Sequence, residues 1–195
     1  MAGEQVKLWL IRHGETEWSL SGQHTSRTDI PLTQKGRERA TAIRDYLCHH
    51  QFSLVLTSPR QRASETCRIA GYADVAQVDP NLSEWDYGVY EGRTTADIRK
   101  DEPSWTVWTS ELHGGETSAQ VASRTQAVID RAIAAGGHVA LFSHGHLLRI
   151  LAATWLGQPP DFGRMLALGT GSISTLGFER ENRVIQTWNR SFEID

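Results

Sequence analysis

Arg12, His13, Arg62 and His144 are the side chains of this 195-residue chain whose types and settings suggest joint chemistry. Each group stands shortly after a short apolar run: Val6 to Ile11, Ser53 to Thr57, and His138 to Ser143. In an open α/β sheet the carboxyl ends of the strands converge on one crevice. Two guanidiniums and two imidazoles there would neutralise a phosphoryl group and donate several hydrogen bonds to its oxygens. Phosphoryl transfer requires chiefly positioning and charge stabilisation of that kind. A neutral imidazole can attack phosphorus in line, provided that its other ring nitrogen is held by a hydrogen bond that fixes the tautomer.

The elements that would position these groups are legible in the pattern. Val6 to Ile11 reads as a buried strand delivering Arg12-His13-Gly14 to a polar loop. From Thr33, which reads as an N-cap, Ala40, Ile43, Tyr46 and Leu47 recur at helical spacing. Ser53 to Thr57 reads as a second strand. Ser58-Pro59 after it reads as a cap and a first-position proline, opening a helix that carries Arg60, Arg62 and Glu65. Asn81 to Thr95, rich in glycine and aromatics, reads as an ordered loop that carries function. Glu116 to Ala135 reads as an amphipathic helix burying Val121, Val128, Ile129 and Ile133. His138 to Ser143 is a third strand, followed by a helix to about Gly157, and Ser172 to Phe178 with Arg183 to Asn189 form a terminal hairpin. This alternation predicts an α/β fold with a largely parallel sheet, and residues 1–195 read as a single domain.

Composition narrows the class. A net charge of -3 argues against a nucleic-acid or polybasic membrane partner. Lys7, Lys35 and Lys100 are the only lysines, so arginine, the residue suited to planar recognition of phosphate, carries most of the positive charge. Cys48 and Cys67 suggest neither a disulfide framework nor a zinc site. The N-terminal stretch lacks a basic region followed by a long apolar run, and no segment has the length of a membrane span. A cytoplasmic location is the expectation.

Arg12-His13-Gly14-Glu15-Thr16, Ser58-Pro59-Arg60-Gln61-Arg62-Ala63-Ser64-Glu65-Thr66, Glu84 and Ser143-His144-Gly145-His146 occur in that order. The set resembles the histidine phosphatase superfamily in its phosphoglycerate-mutase-like branch, from about Leu8 to Phe178. The resemblance implies a three-layer sandwich around a mostly parallel sheet. It implies that His13 is the nucleophile and becomes a phosphohistidine, with Arg12, Arg62 and His144 forming the phosphate pocket. Glu84, in Leu82 to Gly92, matches the proton donor to the leaving group, and the same carboxylate can later take a proton from water. No cofactor and no metal is implied; the partner is a small phosphorylated substrate, and dimers are common in the family.

Two details separate the branches. Cofactor-dependent mutases of the family carry a sizeable insertion where Trp108 here reaches Gly114-Gly115-Glu116 through only Thr109 to His113, so water access and hydrolysis are favoured. Mutases usually carry Asn after the motif tryptophan, where this chain has Ser19. The stretch Thr16 to Thr33 looks more like sedoheptulose-bisphosphatase-type sugar phosphatases and broad-specificity acid phosphatases. Thr25 matches a hydroxyl residue lining the family's phosphate pocket, so the expected substrate-binding set is Arg12, Ser19, Thr25, Arg62, His144 and Gly145.

Blander readings set the alternatives. Asp86 rivals Glu84 as proton donor, although spacing to Tyr87-Gly88 favours Glu84. His144 and His146 form a weak metal motif without a nearby carboxylate or cysteine pattern, and His146 reads as a group that either lines the substrate or supports the residues that do. A mutase and a catalytically weak phosphate-ligand sensor remain beside the phosphatase.

Overall fold

The computed structural model describes residues 5–192. Six strands form one sheet: β1 (Lys7–Arg12), β2 (Leu54–Thr57), β3 (Ala76–Val78), β4 (His138–Ser143), β5 (Ile173–Glu179) and β6 (Asn182–Arg190). Their order across the sheet is β3-β2-β4-β1-β5-β6. The first four in that order are mutually parallel, and β5 and β6 run antiparallel at one edge. The mostly parallel sheet expected from the sequence is thus observed.

Alternation along the strands sorts the core into two halves. Leu8, Leu10, Val139 and Leu141 face a layer built by α5 (Ser118–Ala135) and α6 (Gly145–Trp155). Trp9, Ile11, Ala140 and Phe142 face α2 (Gln34–Leu47) and α3 (Gln61–Ile69) through Ile43, Leu47, Cys67 and Ala70. Helix, sheet and helix make the three layers. Two short helices, α1 (Glu17–Ser21) and α4 (Thr95–Asp101), lie in the connections. Among the described residues no helix is long and apolar enough to cross a membrane.

Several boundaries differ from expectation for identifiable reasons. Arg12 is the last residue of β1, paired in register with Ser143, rather than part of the following loop. Ser58 does not cap α3, because its hydroxyl is engaged by His144 at 2.8 Å and by the Arg60 amide at 3.2 Å; the helix begins at Gln61 with Arg60 as N-cap. The long helix begins at Ser118, since Thr117 and Gln120 close a capping box there. Ile133 is 39% exposed and so does not belong to its buried face. The stretch from Asn81 to Thr94 is irregular as expected apart from two 3-10 turns, Pro80–Leu82, which begins just before it, and Gly88–Tyr90, and Thr95 already opens α4.

Candidate active site

Strand register assembles the site. Thr57 pairs with Phe142 and Arg12 with Ser143, so Ser58, His13 and His144 emerge side by side at the carboxyl ends of β2, β1 and β4. His13 is fixed by its own backbone, its amide donating to Ser143 O at 3.0 Å and its carbonyl accepting from the Gly171 amide at 2.9 Å. The turn after it is clamped from two sides. Gly14 donates its amide to Thr66 Oγ1 of α3 at 3.1 Å, and it lies so close to the start of α2 that a Cβ would stand 2.3 Å from Gly36 O. Glycine is therefore required at residue 14 by contact.

His13 Nδ1 lies 2.6 Å from Gly14 O. A carbonyl only accepts, so Nδ1 carries the proton and Nε2 keeps its lone pair. Burial first, then the Arg62 and Arg12 guanidiniums, hold this imidazole well below the usual histidine range. It is consequently neutral at neutral pH, as a nitrogen nucleophile must be.

Arg12, Arg62 and His144 surround it. Arg12 donates to Leu168 O, while its Nε is buried without a protein partner. Gly145 makes room for it: a Cβ there would stand 3.1 Å from Arg12 Cζ. Arg62 is fully buried and donates to Thr25 O, Ser26 O and Thr28 O at 3.1, 3.3 and 3.1 Å. The same loop is gripped on its amide side by Glu91, which accepts from Ser26 N and Thr28 N. Among the described residues neither Arg12 nor Arg62 has a carboxylate within ion-pair distance. Buried guanidiniums without a counter-ion favour an anionic ligand.

His144 joins the constellation with both ring nitrogens engaged: Nδ1 accepts from Arg62 Nε at 3.2 Å and Nε2 meets Ser58 Oγ at 2.8 Å. It therefore orients Arg62, and its ring lies 5.2 Å from that of His13. Glu84 stands at the N-terminus of α6, its Oε1 accepting from Trp85 N and Leu147 N at 2.9 and 2.8 Å and its Oε2 from His146 N at 3.0 Å. Oε2, with a single amide donor, is the oxygen with room to carry a proton. Asp86, the rival, instead pairs with exposed Arg27 and accepts from Gly88 N.

Beside His13 lies a cleft of about 170 Å³, lined among others by Arg12, His13, Thr25, Glu84 and Gly145; Arg62 and His144, both expected to bind substrate, are fully buried and not among its lining residues. That volume accommodates a phosphate and the first atoms of its ester group. Ser19 also lines it, but its hydroxyl is spent in the capping box of α1, donating to Thr16 O at 2.8 Å and accepting from Thr16 N at 2.9 Å. Thr25 Oγ1 donates to Gln23 O at 3.0 Å. None of Thr109 to His113 lines the cleft, in keeping with the short connection there.

Sequence reasoning passed over three groups. His24 and Tyr87 line the cleft, and Arg149 joins His146 on the cleft face of α6 three residues on. The i, i+3 spacing was the available signal for Arg149. His24 and Tyr87 come from irregular segments without such a period.

Comparison with known proteins finds relatives over most of the chain. The sequence pattern of the histidine phosphatase superfamily (branch 1) matches residues 8–191. An acid phosphatase of Mycobacterium tuberculosis is 40% identical over 177 residues, covering 89% of this chain and 87% of the relative. Sedoheptulose 1,7-bisphosphatase of Saccharomyces cerevisiae is 34% identical over 180 residues, covering 76% and 66%. Among solved structures, a mycobacterial glucosyl-3-phosphoglycerate phosphatase in complex with VO3 superimposes with a TM-score of 0.86 at 29% identity, over 95% of this chain and 99% of that one.

Proposed function

The chain belongs to the histidine phosphatase superfamily and is a phosphatase, and on that premise we propose that it hydrolyses small sugar mono- or bisphosphates through a phosphohistidine on His13, without a divalent ion. The observation that carries this reading is the His13 imidazole: buried, neutral, with Nδ1 bound to Gly14 O and Nε2 left as the nucleophilic nitrogen.

In the first half-reaction His13 Nε2 forms a bond to phosphorus as the ester P–O bond breaks, and Glu84 gives its proton to the departing oxygen. Arg12 and the remaining N–H of Arg62 balance charge on the phosphoryl oxygens. In the second, water attacks phosphorus, Glu84 takes its proton, the P–N bond breaks, and inorganic phosphate leaves. Guanidinium charge takes the part that metal ions play in other phosphotransfer sites. The identity to acid and sugar-bisphosphate phosphatases supports the substrate class. The free thiols Cys48 and Cys67 support a cytoplasmic location.

A screen of sugar monophosphates, sugar bisphosphates and phosphoglycerates for released phosphate, with a chelator present, tests this reading. Sugar phosphates should be hydrolysed much faster than phosphoglycerates are isomerised, and the chelator should not matter. Loss of activity in chelator, restored by zinc or magnesium, or efficient bisphosphoglycerate-primed isomerisation, would overturn it.

A further inference from the structure

We propose that His146, locked by Tyr87, is a specificity-determining donor that recognises an oxygen of the ester's organic group next to the scissile bond, selecting hydroxylated phosphate esters over plain alkyl phosphates. This rests on the reading that phosphoryl transfer occurs at His13.

The placement comes from the backbone. Glu84, which protonates the departing oxygen, accepts the amide of His146, so this residue stands at the leaving-group side of the cleft that it lines. Its ring is walled by aromatic rings, 5.2 Å from Trp108 and 5.7 Å from Tyr87. His24 and Arg149 line the same cleft; an N–H donor held in one place by such packing discriminates well, because leaving it unpaired is costly.

Hydrogen-bond accounting assigns the proton. Tyr87 is 1% exposed, and its hydroxyl has one protein partner among the described residues, His146 Nδ1 at 2.7 Å. Burial above all, with the Glu84 carboxylate adding to it, holds the phenol well above its usual range, so it keeps its hydrogen. Burial likewise holds His146 well below the usual histidine range, so the ring is neutral and carries one N–H. Were that proton on Nδ1, two hydrogens would face each other or the phenol hydrogen would be left buried without an acceptor. Tyr87 therefore donates to Nδ1, and the imidazole proton sits on Nε2. The structure gives Nε2 no protein acceptor, and it is not among the buried unpartnered atoms, so a substrate oxygen can reach it.

The test uses the full chain with glycerol 3-phosphate and propyl phosphate, which share a primary ester and differ in hydroxyl groups. The measured quantity is the ratio of their kcat/KM values, in which a general loss of phosphoryl transfer cancels. The parent should favour glycerol phosphate about tenfold or more. His146→Phe should bring the ratio close to unity, and Tyr87→Phe, which removes only the lock, should lower it several-fold. Long-range proton-nitrogen NMR on the parent should find His146 protonated at Nε2. A ratio unchanged in both variants, or an Nδ1-protonated ring, would overturn the proposal. A parent inactive toward every phosphate ester would instead count against the phosphatase reading, and the NMR result would still decide this one.

Discussion

Arg62 donates from Nε to Nδ1 of His144 at 3.2 Å, and the opposite nitrogen of the same ring meets Ser58 Oγ at 2.8 Å. Three residues from two segments thus form one buried chain that ends in a guanidinium. Burial above all, then Arg62, holds His144 well below the usual range. With Nδ1 accepting, its single proton points at Ser58. Ser58→Ala would leave that N–H buried and unpaired, at about 1–3 kcal/mol. Denaturant unfolding should show this loss, together with a fall in kcat/KM, because Arg62 is then less firmly aimed.

Protonation gives a second prediction. His13, His24, His144 and His146 are all held below the usual range, chiefly by burial, His24 to about 4. Unfolded, each titrates near about 6.5. Below that value the unfolded chain binds protons that the folded imidazoles do not. Stability present above about pH 6.5 is therefore lost as pH falls toward the folded values, by about 1.4 kcal/mol per pH unit for each ring that stays neutral. Unfolding curves at about pH 7 and about pH 5 should differ accordingly, and NMR should show His13 neutral at both.

Gly145→Ala isolates the guanidinium of Arg12. The new Cβ would stand 3.1 Å from Arg12 Cζ, so the flexible side chain must shift. Alanine is the better helix former at the first position of α6, so stability should hold or rise slightly. Affinity for inorganic phosphate as a competitive inhibitor should fall about tenfold, or about 1.4 kcal/mol.

Glu84→Ala should separate substrates by leaving group. Alkyl phosphates need a proton on the departing oxygen and should lose several hundred-fold or more in kcat, within the range typical of general acids. An activated aryl phosphate needs none and should keep most of its rate of bond cleavage. Equal losses on both would remove Glu84 from the acid role.

The side chains of the candidate site were legible because they sit where pattern is strongest. Three short apolar runs end at Arg12-His13, Ser58 and His144, and the sheet places those ends together. Other features leave little trace in sequence. β3 is three residues at a sheet edge with Val78 60% exposed, too short and too wet for alternation to show. α4 buries only Ile98. The engaged hydroxyl of Ser58 depends on the fold bringing His144 within 3 Å, which motif spacing does not encode, whereas that of Ser19 closes a local box with Thr16 that uses serine where glutamate or glutamine is the usual signal. Arg62 was expected to hold phosphate, yet most of its N–H groups hold the carbonyls of Thr25, Ser26 and Thr28. Its contribution to the pocket is as much the shape of that loop as its charge.

Phosphorus should bond to one particular nitrogen of the protein. Glu84→Ala mixed with an activated aryl phosphate should release a burst of the aryl alcohol and accumulate an acid-labile adduct, because hydrolysis then lacks its base. Mapping by mass spectrometry and phosphorus NMR should find it on His13 at Nε2, since Nδ1 is bound to Gly14 O at 2.6 Å. His13→Ala should stay folded and show neither burst nor adduct. An adduct at Nδ1 or on His144, or a His13→Ala enzyme turning over near the parent rate, would contradict the account.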